Sequence, residues 1–357
     1  MKKTKARRPK RKAILISVFC TVIGIPLILI PILTVIVYES VFGARYETAP
    51  YLEFSVEEFE GLCVNRSDFS EENGTQIAGY KYYREGQDAK GVVIVAHGLG
   101  GGGHNSYMPF IDYFTRSGYY VFAYDARGND NSEGKSIEGL PQGIIDLDLA
   151  ISHAQGEYEG LPILLFGHSW GAYSVGNVLS FHPEVKGAVI VSGFNESEDM
   201  LLWHSKKYVG AFAEVLFSYV ELYERVKFGK ELSSLSAIDG LKSTDAQIMI
   251  VHSKDDKTVP IEYGYDKFYA QFANNERFEF VLYEDKGHSY LFYSEDSYEY
   301  REQINEAYLE YLSKIGEEPS EENKSAFMLE SLDKSKCFAP DEALMTEIIE
   351  MYDNACK

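Results

Sequence analysis

The chain has 357 residues, with 34 lysines and arginines against 55 acidic residues and a formal net charge of −21. Hydrophobic residues at 45% and charged residues at 25% exclude disorder as the main state, and four cysteines without a CxxC pair exclude a disulfide scaffold and a zinc-finger type site. Eight of the cations lie in residues 1–12, so the remaining 26 face all 55 acids, a balance of −29 that argues against nucleic acid as a partner.

After that basic segment, Ala13 to Tyr38 is a run of 26 residues without a charge. As a helix rising ~1.5 Å per residue it would reach ~39 Å, more than a ~30 Å hydrocarbon core requires. A secretory signal has a shorter apolar region, ~7–15 residues, ending in small residues. Here Gly43 and Ala44 follow bulky Val41 and Phe42. The expectation is a transmembrane helix over 13–38, kinked at Pro26 and Pro31, with 1–12 cytoplasmic and everything after about Tyr38 outside the cytoplasm. There Cys63, Cys337 and Cys356 would meet an oxidising compartment, with a Cys337–Cys356 bridge as one pairing. Asn-x-Ser/Thr sequons begin at Asn65, Asn73, Asn195 and Asn323.

Residues 39–59 read as an amphipathic connector. Gly61 to Ser67 and Ile77 to Tyr83 read as two strands around a turn at Glu72-Asn73-Gly74. Gly91 to Ala96 is an apolar β-branched run suited to a buried parallel strand. Helices and strands then alternate: helix Tyr107–Ser117, strand Tyr119–Tyr124, helix Gly139–Gln155, strand Pro162–Phe166, helix Ala172–Phe181 and strand Gly187–Val191. Strands Gln247–Val251 and Phe278–Tyr283 follow, with a helix near Ile261–Ala273 between them. This order predicts an α/β fold, a mostly parallel sheet with helices on both faces. Asn195 to Thr244 is too long for an ordinary connection and carries large apolar residues such as Leu201, Trp203, Phe212 and Leu216. It reads as a helical cap over the sheet edge, or else as a helix pair simply packed on the core. An acidic stretch at Glu317–Asn323 precedes a terminal helix opened by Pro340, with Leu344, Ile348 and Tyr352 on one face.

The strand Leu164–Phe166 runs into Gly167-His168-Ser169-Trp170-Gly171 and then a helix. This is G-x-S-x-G in the strand–turn–helix setting that exposes a nucleophile, here Ser169. In that architecture the acid and then the histidine follow the serine along the chain. Of eight histidines only His288, in Asp285-Lys-Gly-His-Ser-Tyr290, follows the last strand, while His168 reads as support for the turn. The acid belongs after the preceding strand, in Ser253-Lys-Asp-Asp-Lys-Thr-Val-Pro260, where Asp255 and Asp256 are both candidates. His97-Gly98-Leu99-Gly100-Gly101-Gly102-Gly103 after the Gly91–Ala96 strand offers backbone donors, and the N–H groups of Leu99 and Trp170 form the expected oxyanion pair.

Together HGLGG, GHSWG, SKDDKTVP and the late GHS resemble the α/β-hydrolase superfamily over roughly residues 60–312. Tyr124-Asp-Ala-Arg-Gly-Asn-Asp-Asn-Ser-Glu-Gly134 resembles the D-x-R-G-x-G-x-S-x-G loop of its monoacylglycerol lipase, lysophospholipase and serine aminopeptidase (S33-like) branch, with Asp130 in place of a glycine. The branch's acid loop, H-G-x-x-D-x-x-V-P, selects Asp256 over Asp255 and puts Ser253 at a usual glycine. The resemblance also places the branch's cap at 195–244. It implies a serine hydrolase acting on a carboxylic ester, a lipid-like acyl ester before others, through Ser169, Asp256 and His288, with no cofactor or metal. A peptidase or amidase using the same triad is the alternative enzyme, and a catalytically silent binding module the alternative class. The domains expected are therefore a basic segment (1–12), a transmembrane helix (13–38), a connector (39–59), the hydrolase domain (60–312) and an acidic linker with a C-terminal helix (313–357).

Overall fold

The computed structural model describes Phe19, Thr21 and residues 24–357. Helix α1 (Ile25–Phe42) leads to strands β1 (Cys63–Arg66), β2 (Phe69–Ser70), β3 (Gln76–Tyr83) and β4 (Val92–Ala96). Helix α2 (Met108–Arg116), strand β5 (Tyr120–Asp125), helix α3 (Gln142–Glu157), strand β6 (Ile163–His168), helix α4 (Trp170–Val178) and strand β7 (Gly187–Val191) follow. Three helices come next, α5 (Ser197–Val209), α6 (Ala213–Ser233) and α7 (Ala237–Ser243), and then β8 (Gln247–Ser253), α8 (Tyr265–Phe272) and β9 (Phe278–Tyr283). The chain closes with α9 (Glu295–Ile315), α10 (Glu321–Ser331), α11 (Lys334–Cys337) and α12 (Glu342–Ala355).

The sheet order is β1-β3-β5-β4-β6-β7-β8-β9, with β2 paired to β3. Pairing is parallel from β5 through β9 and antiparallel where β3 meets β1, β2 and β5. Burial on both faces explains why the middles of the central strands are apolar, with polar residues kept to their ends. Val92, Ile94, Ile163, Leu165, Ile248 and Ile250 face one core, and Val93, Val95, Leu164, Phe166, Met249 and Val251 face the other. The first core is closed by α3, α4, α7 and α8, the second by α2 and α12.

Two terminal regions depart from expectation. In the region 313–357, expected as an acidic linker and a C-terminal helix, the part before Pro340 is itself largely helical, and Ser320 and Asn323 form a capping box at the start of α10. Helix α12 is capped by Asp341 and belongs to the second core, where Tyr352 Oη donates to the Leu165 carbonyl of β6 at 2.7 Å. At the other end, no helix among the described residues is long and apolar enough to cross a membrane. The transmembrane helix expected over 13–38 is therefore not found there, and residues 13–18, 20, 22 and 23 lie outside the described residues. Helix α1 has 18 residues, a rise of ~27 Å, and its last turns turn toward protein. Tyr38 and Phe42 are buried, and Glu39 accepts from Tyr223 and Lys227 of α6.

The cysteine and sequon expectations are also sorted by burial. Cys63, Cys337 and Cys356 are free thiols, so the Cys337–Cys356 bridge is not formed. Asn195 is 2% exposed, and its side-chain oxygen accepts from Ile238 N–H and Ser236 Oγ, tying the start of the 195–244 insertion to α7. Asn323 is buried in its capping box, which leaves Asn65 and Asn73 as the sequons open to solvent among the described residues.

Glu224 of α6 is 1% exposed and joins α1 to the insertion: Tyr38 Oη donates to Oε1 at 2.8 Å and Ser197 Oγ to Oε2 at 3.1 Å. Burial pushes its carboxyl up to about 7, further than these two hydrogen bonds pull it down. A raised folded-state pKa gives stability that is whole below the unfolded carboxylate range and is lost as pH rises through about 7. Glu224→Gln removes that loss, because its amide can serve Tyr38 and Ser197 without a charge. The melting temperature of the variant is expected to exceed wild type by roughly 2–6 °C at pH 8 and to match or fall below it near pH 5. An equal offset at both pH values would contradict a charged, desolvated Glu224.

Candidate active site

The site begins with a constraint on the backbone. Between β6 and α4 the chain reverses at Ser169, which takes φ 56 and ψ −114, a conformation L-residues rarely adopt. The reversal fits only because its neighbours lack side chains. A Cβ on Gly167 would lie 2.6 Å from the Gly171 carbonyl oxygen, and one on Gly171 would collide with the carbonyl of Ala96 on β4. Ser169 N–H donates to Val191 O at 2.8 Å, which fixes the turn to the end of β7.

Two loops after neighbouring strands deliver the other groups. His288, beyond β9, places Nε2 at 2.8 Å from Ser169 Oγ. Its Nδ1 lies 2.7 Å from Asp256 Oδ2 in the loop after β8. The other Asp256 oxygen accepts the N–H groups of Thr258 and Val259, each at 2.8 Å. Burial alone would raise the Asp256 pKa, but the His288 hydrogen bond and its charge hold it below the ordinary carboxylate value. Asp256 is 5% exposed, and its Oδ2 also lies 3.5 Å from Nε2 of the buried His252.

Asp255 has a different task. Its Oδ1 accepts from Ser253 Oγ at 2.7 Å and from Gly287 N–H at 2.8 Å, while Ser253 Oγ accepts Lys286 N–H at 2.9 Å. Ser253, at a position where the resembling loops carry glycine, thus laces the acid loop to the histidine loop.

The glycine loop after β4 lies alongside. Among the described residues neither Leu99 N–H nor Trp170 N–H has an acceptor within the protein, while the Trp170 indole is anchored by donation to Leu140 O at 2.8 Å. His97 fixes the peptide that carries the Leu99 N–H. Its Nε2 accepts from Ala126 N–H at 2.8 Å, so the ring proton sits on Nδ1 and is donated to Gly98 O at 2.8 Å. Burial lowers the His97 pKa, in keeping with this neutral form.

Other residues of the site were given no role by the sequence. Asp130 (φ 32) holds Thr48 through its N–H and hydroxyl, each at 2.6 Å, and Gly103 N–H at 2.8 Å. The connector after α1 is thereby fastened to the glycine loop, and a carboxylate there replaces the conformational freedom of a glycine with bonds. Ser192 (φ 51) donates to the His288 carbonyl at 3.3 Å. In the insertion, Lys207 Nζ donates to Lys257 O at 3.2 Å and lies 3.3 Å above the Trp203 ring, which sets α5 against the acid loop.

This geometry separates the two aspartates. In Asp256→Asn an amide N–H would face His288 Nδ1 and force the proton onto Nε2, where it could no longer accept from Ser169; ester turnover is expected to fall roughly 10⁴-fold. Asp255→Asn keeps an acceptor oxygen for Ser253 and Gly287, and a loss of less than about tenfold is expected. Steady-state kinetics of the purified variants on a short p-nitrophenyl ester decide it, and a dead Asp255→Asn beside an active Asp256→Asn would reverse the assignment.

Residues 87–234 match the family described as serine aminopeptidase, S33. Human protein ABHD12B is 22% identical over 211 residues, 55% of this chain and 55% of that protein. A monoacylglycerol lipase of Mycolicibacterium smegmatis is 28% identical over 127 residues, 35% of this chain and 45% of that protein. The chain thus spans about half the length of these curated relatives. Among solved structures, the Pyrococcus furiosus esterase Pf2001 superposes with a TM-score of 0.53 at 20% identity, covering 73% of this chain and 96% of the esterase. The strand order, the turn at Ser169 and these matches agree: the chain has the α/β-hydrolase fold, and its residues 87–234 are similar to the serine aminopeptidase S33 family.

Proposed function

We propose that the protein is a serine hydrolase that cleaves carboxylic esters, lipid-like acyl esters foremost, through an acyl-enzyme on Ser169. The observation that carries this reading is the unbroken line from Ser169 Oγ to His288 Nε2 (2.8 Å) and from His288 Nδ1 to Asp256 Oδ2 (2.7 Å). In the acylation step Ser169 Oγ attacks the acyl carbon while its proton passes to His288 Nε2. The carbonyl electron pair moves onto oxygen, which the Leu99 and Trp170 N–H groups receive. Collapse of the tetrahedral species breaks the ester bond, and the alcohol leaves with the proton from His288. Water then attacks the acyl carbon, gives a proton to His288, and the acid departs as Ser169 recovers its hydrogen. Asp256 keeps the imidazole in the tautomer this cycle needs.

The name of the mycobacterial relative favours an acyl ester. The name of the matched family, a serine aminopeptidase, supports a second reading in which the same triad cleaves an amide. A fluorophosphonate is expected to label wild type and to leave Ser169→Ala unlabelled, with turnover down about 10⁴-fold or more. A panel of p-nitrophenyl esters against aminoacyl p-nitroanilides then separates the readings: higher kcat/KM on the esters is expected, and preference for the anilides would favour the peptidase. Equal labelling of both proteins would sink the nucleophile assignment.

For the N-terminal run the support is its composition, 26 uncharged residues after eight cations, together with the exposed side chains of Leu27, Ile28, Leu33, Ile36 and Val37 on α1. The reading that follows is a hydrolase held at a membrane, N-terminus cytoplasmic and catalytic body outside. Protease added to intact cells is expected to digest the catalytic body, and full protection with control proteins cleaved would contradict this orientation.

A further inference from the structure

Two buried side chains that the hydrolytic cycle does not use stand between its two halves. Tyr107, just before α2, and His168, just before the nucleophile, are each 7% exposed. Gly98 N–H lies 2.9 Å from Tyr107 Oη, Tyr107 Oη lies 2.8 Å from His168 Nδ1, and His168 Nε2 lies 3.0 Å from the backbone carbonyl of His288. The direction of every proton in this line follows from its ends. Gly98 N–H can only donate, so the tyrosine oxygen accepts it and sends its own hydrogen to Nδ1. The His288 carbonyl can only accept, so the histidine hydrogen is on Nε2. The imidazole is thus neutral, with one proton at a defined nitrogen.

We propose that Tyr107 and His168 are positioning residues that hold the oxyanion loop and the His288 loop in one register through the line Gly98 N–H to Tyr107 Oη–H to His168, and His168 Nε2–H to the His288 carbonyl. The proposal rests on the hydrolase reading above. Leu99, the expected oxyanion donor, is bonded directly to Gly98. His97 grips the Gly98 carbonyl, in the same peptide as the Leu99 N–H, and Tyr107 grips the Gly98 N–H of the preceding peptide, so Gly98 is held on both sides. At the far end, the His288 carbonyl takes bonds from both His168 Nε2 and Ser192 Oγ (3.3 Å), which fixes the backbone from which the catalytic imidazole projects. The packing leaves little slack: a Cβ on Gly98 would lie 3.2 Å from both His168 Nδ1 and Tyr107 Oη, and the Phe292 ring meets the His168 ring edge-on at 5.0 Å.

The electrostatics agree. Burial first, and then the nearby His288, bring the His168 pKa down to about 3, with His252 adding to the drop and the His288 carbonyl and Asp256 opposing it. A cation on His168 would stand 5.1 Å, ring to ring, from the imidazolium that His288 must form. It would also leave the tyrosine hydrogen without an acceptor. Keeping His168 neutral removes both penalties.

The test uses the full chain. In 15N-histidine NMR spectra His168 is expected as the Nε2–H tautomer, without titration between pH 5 and 8. A His168 that titrates in that range, or that holds its proton on Nδ1, overturns the assignment regardless of how the variants behave. Tyr107→Phe and His168→Leu are expected to lower kcat, counted per fluorophosphonate-titrated site, about 10–100-fold with KM within about twofold, as a slightly misplaced donor would. His168→Gln, whose amide supplies one acceptor and one donor, is expected to restore most of that loss. A deficit confined to the number of titratable sites, or equal defects in the Leu and Gln variants, would reduce the pair to core packing and overturn the proposal. If wild type fails to react with the fluorophosphonate at Ser169, the hydrolase reading falls, and the positioning role with it.

Discussion

The structure depends on one tight backbone reversal. Ser169 holds a left-handed φ of 56 between a buried strand and a buried helix, a conformation that costs about 1–3 kcal/mol and persists only where the surroundings leave no alternative. Here those surroundings are the carbonyl of Ala96, which allows nothing larger than Gly171, and the carbonyl of Gly171, which allows nothing larger than Gly167. The strand β6 and helix α4 are therefore pressed together at the level of β4, and the hydroxyl is carried past the end of the sheet. Every other part of the site is arranged around that fixed point. The parallel sheet brings the loops after β4, β8 and β9 to the same end, so long-range neighbours meet without any of them having to span the core.

Where the chain departs from the patterns it resembles, the departures are wired in. Ser253 stands where a glycine is usual and bonds the acid loop to the histidine loop on both sides. Asp130 stands at another such position, accepts a left-handed backbone, and ties Thr48 of the connector to Gly103 of the glycine loop. In both places flexibility is exchanged for hydrogen bonds between segments distant in sequence. The connector is consequently part of the scaffold of the site: Arg45 donates to the carbonyls of Asp130, Ser132 and Gly134, and Tyr46 bridges to Asn129. A change in the position of α1 would be felt at the glycine loop through these bonds and at the 195–244 helices through Glu39 and Glu224.

Much of this was legible in the residues, for a local reason. Buried parallel strands are short apolar runs, and a glycine-bracketed serine between a strand and a helix has few other uses, so Ser169, His288 and the acid loop could be placed from order alone. The choice of Asp256 over Asp255 needed the resemblance, since neighbouring carboxylates in a charged loop look alike until the direction of each side chain is known. What stayed hidden depends on partners far along the chain. Tyr107 reads as an apolar residue at a helix start, Thr48 as a polar linker residue, and α12 as an appended amphipathic helix, yet each is fixed by a bond to a segment 9 to 187 positions away. The apolar run at the N-terminus illustrates the reverse. Its composition suggested one continuous span ending at Tyr38, but the described helix continues to Phe42 and buries its end in protein, because Tyr38, Glu39 and Phe42 find partners on α6 and the core.

The account stands or falls on a covalent intermediate at one atom. A rapid acid quench of the enzyme during turnover of a p-nitrophenyl acyl ester, followed by peptide mass spectrometry, reads it directly. The expected result is a mass gain equal to the acyl group minus one hydrogen on the peptide that contains Ser169, appearing with a stoichiometric burst of p-nitrophenol. Turnover of the same ester with no acylated peptide and no burst, or with the acyl group on another residue, would contradict it.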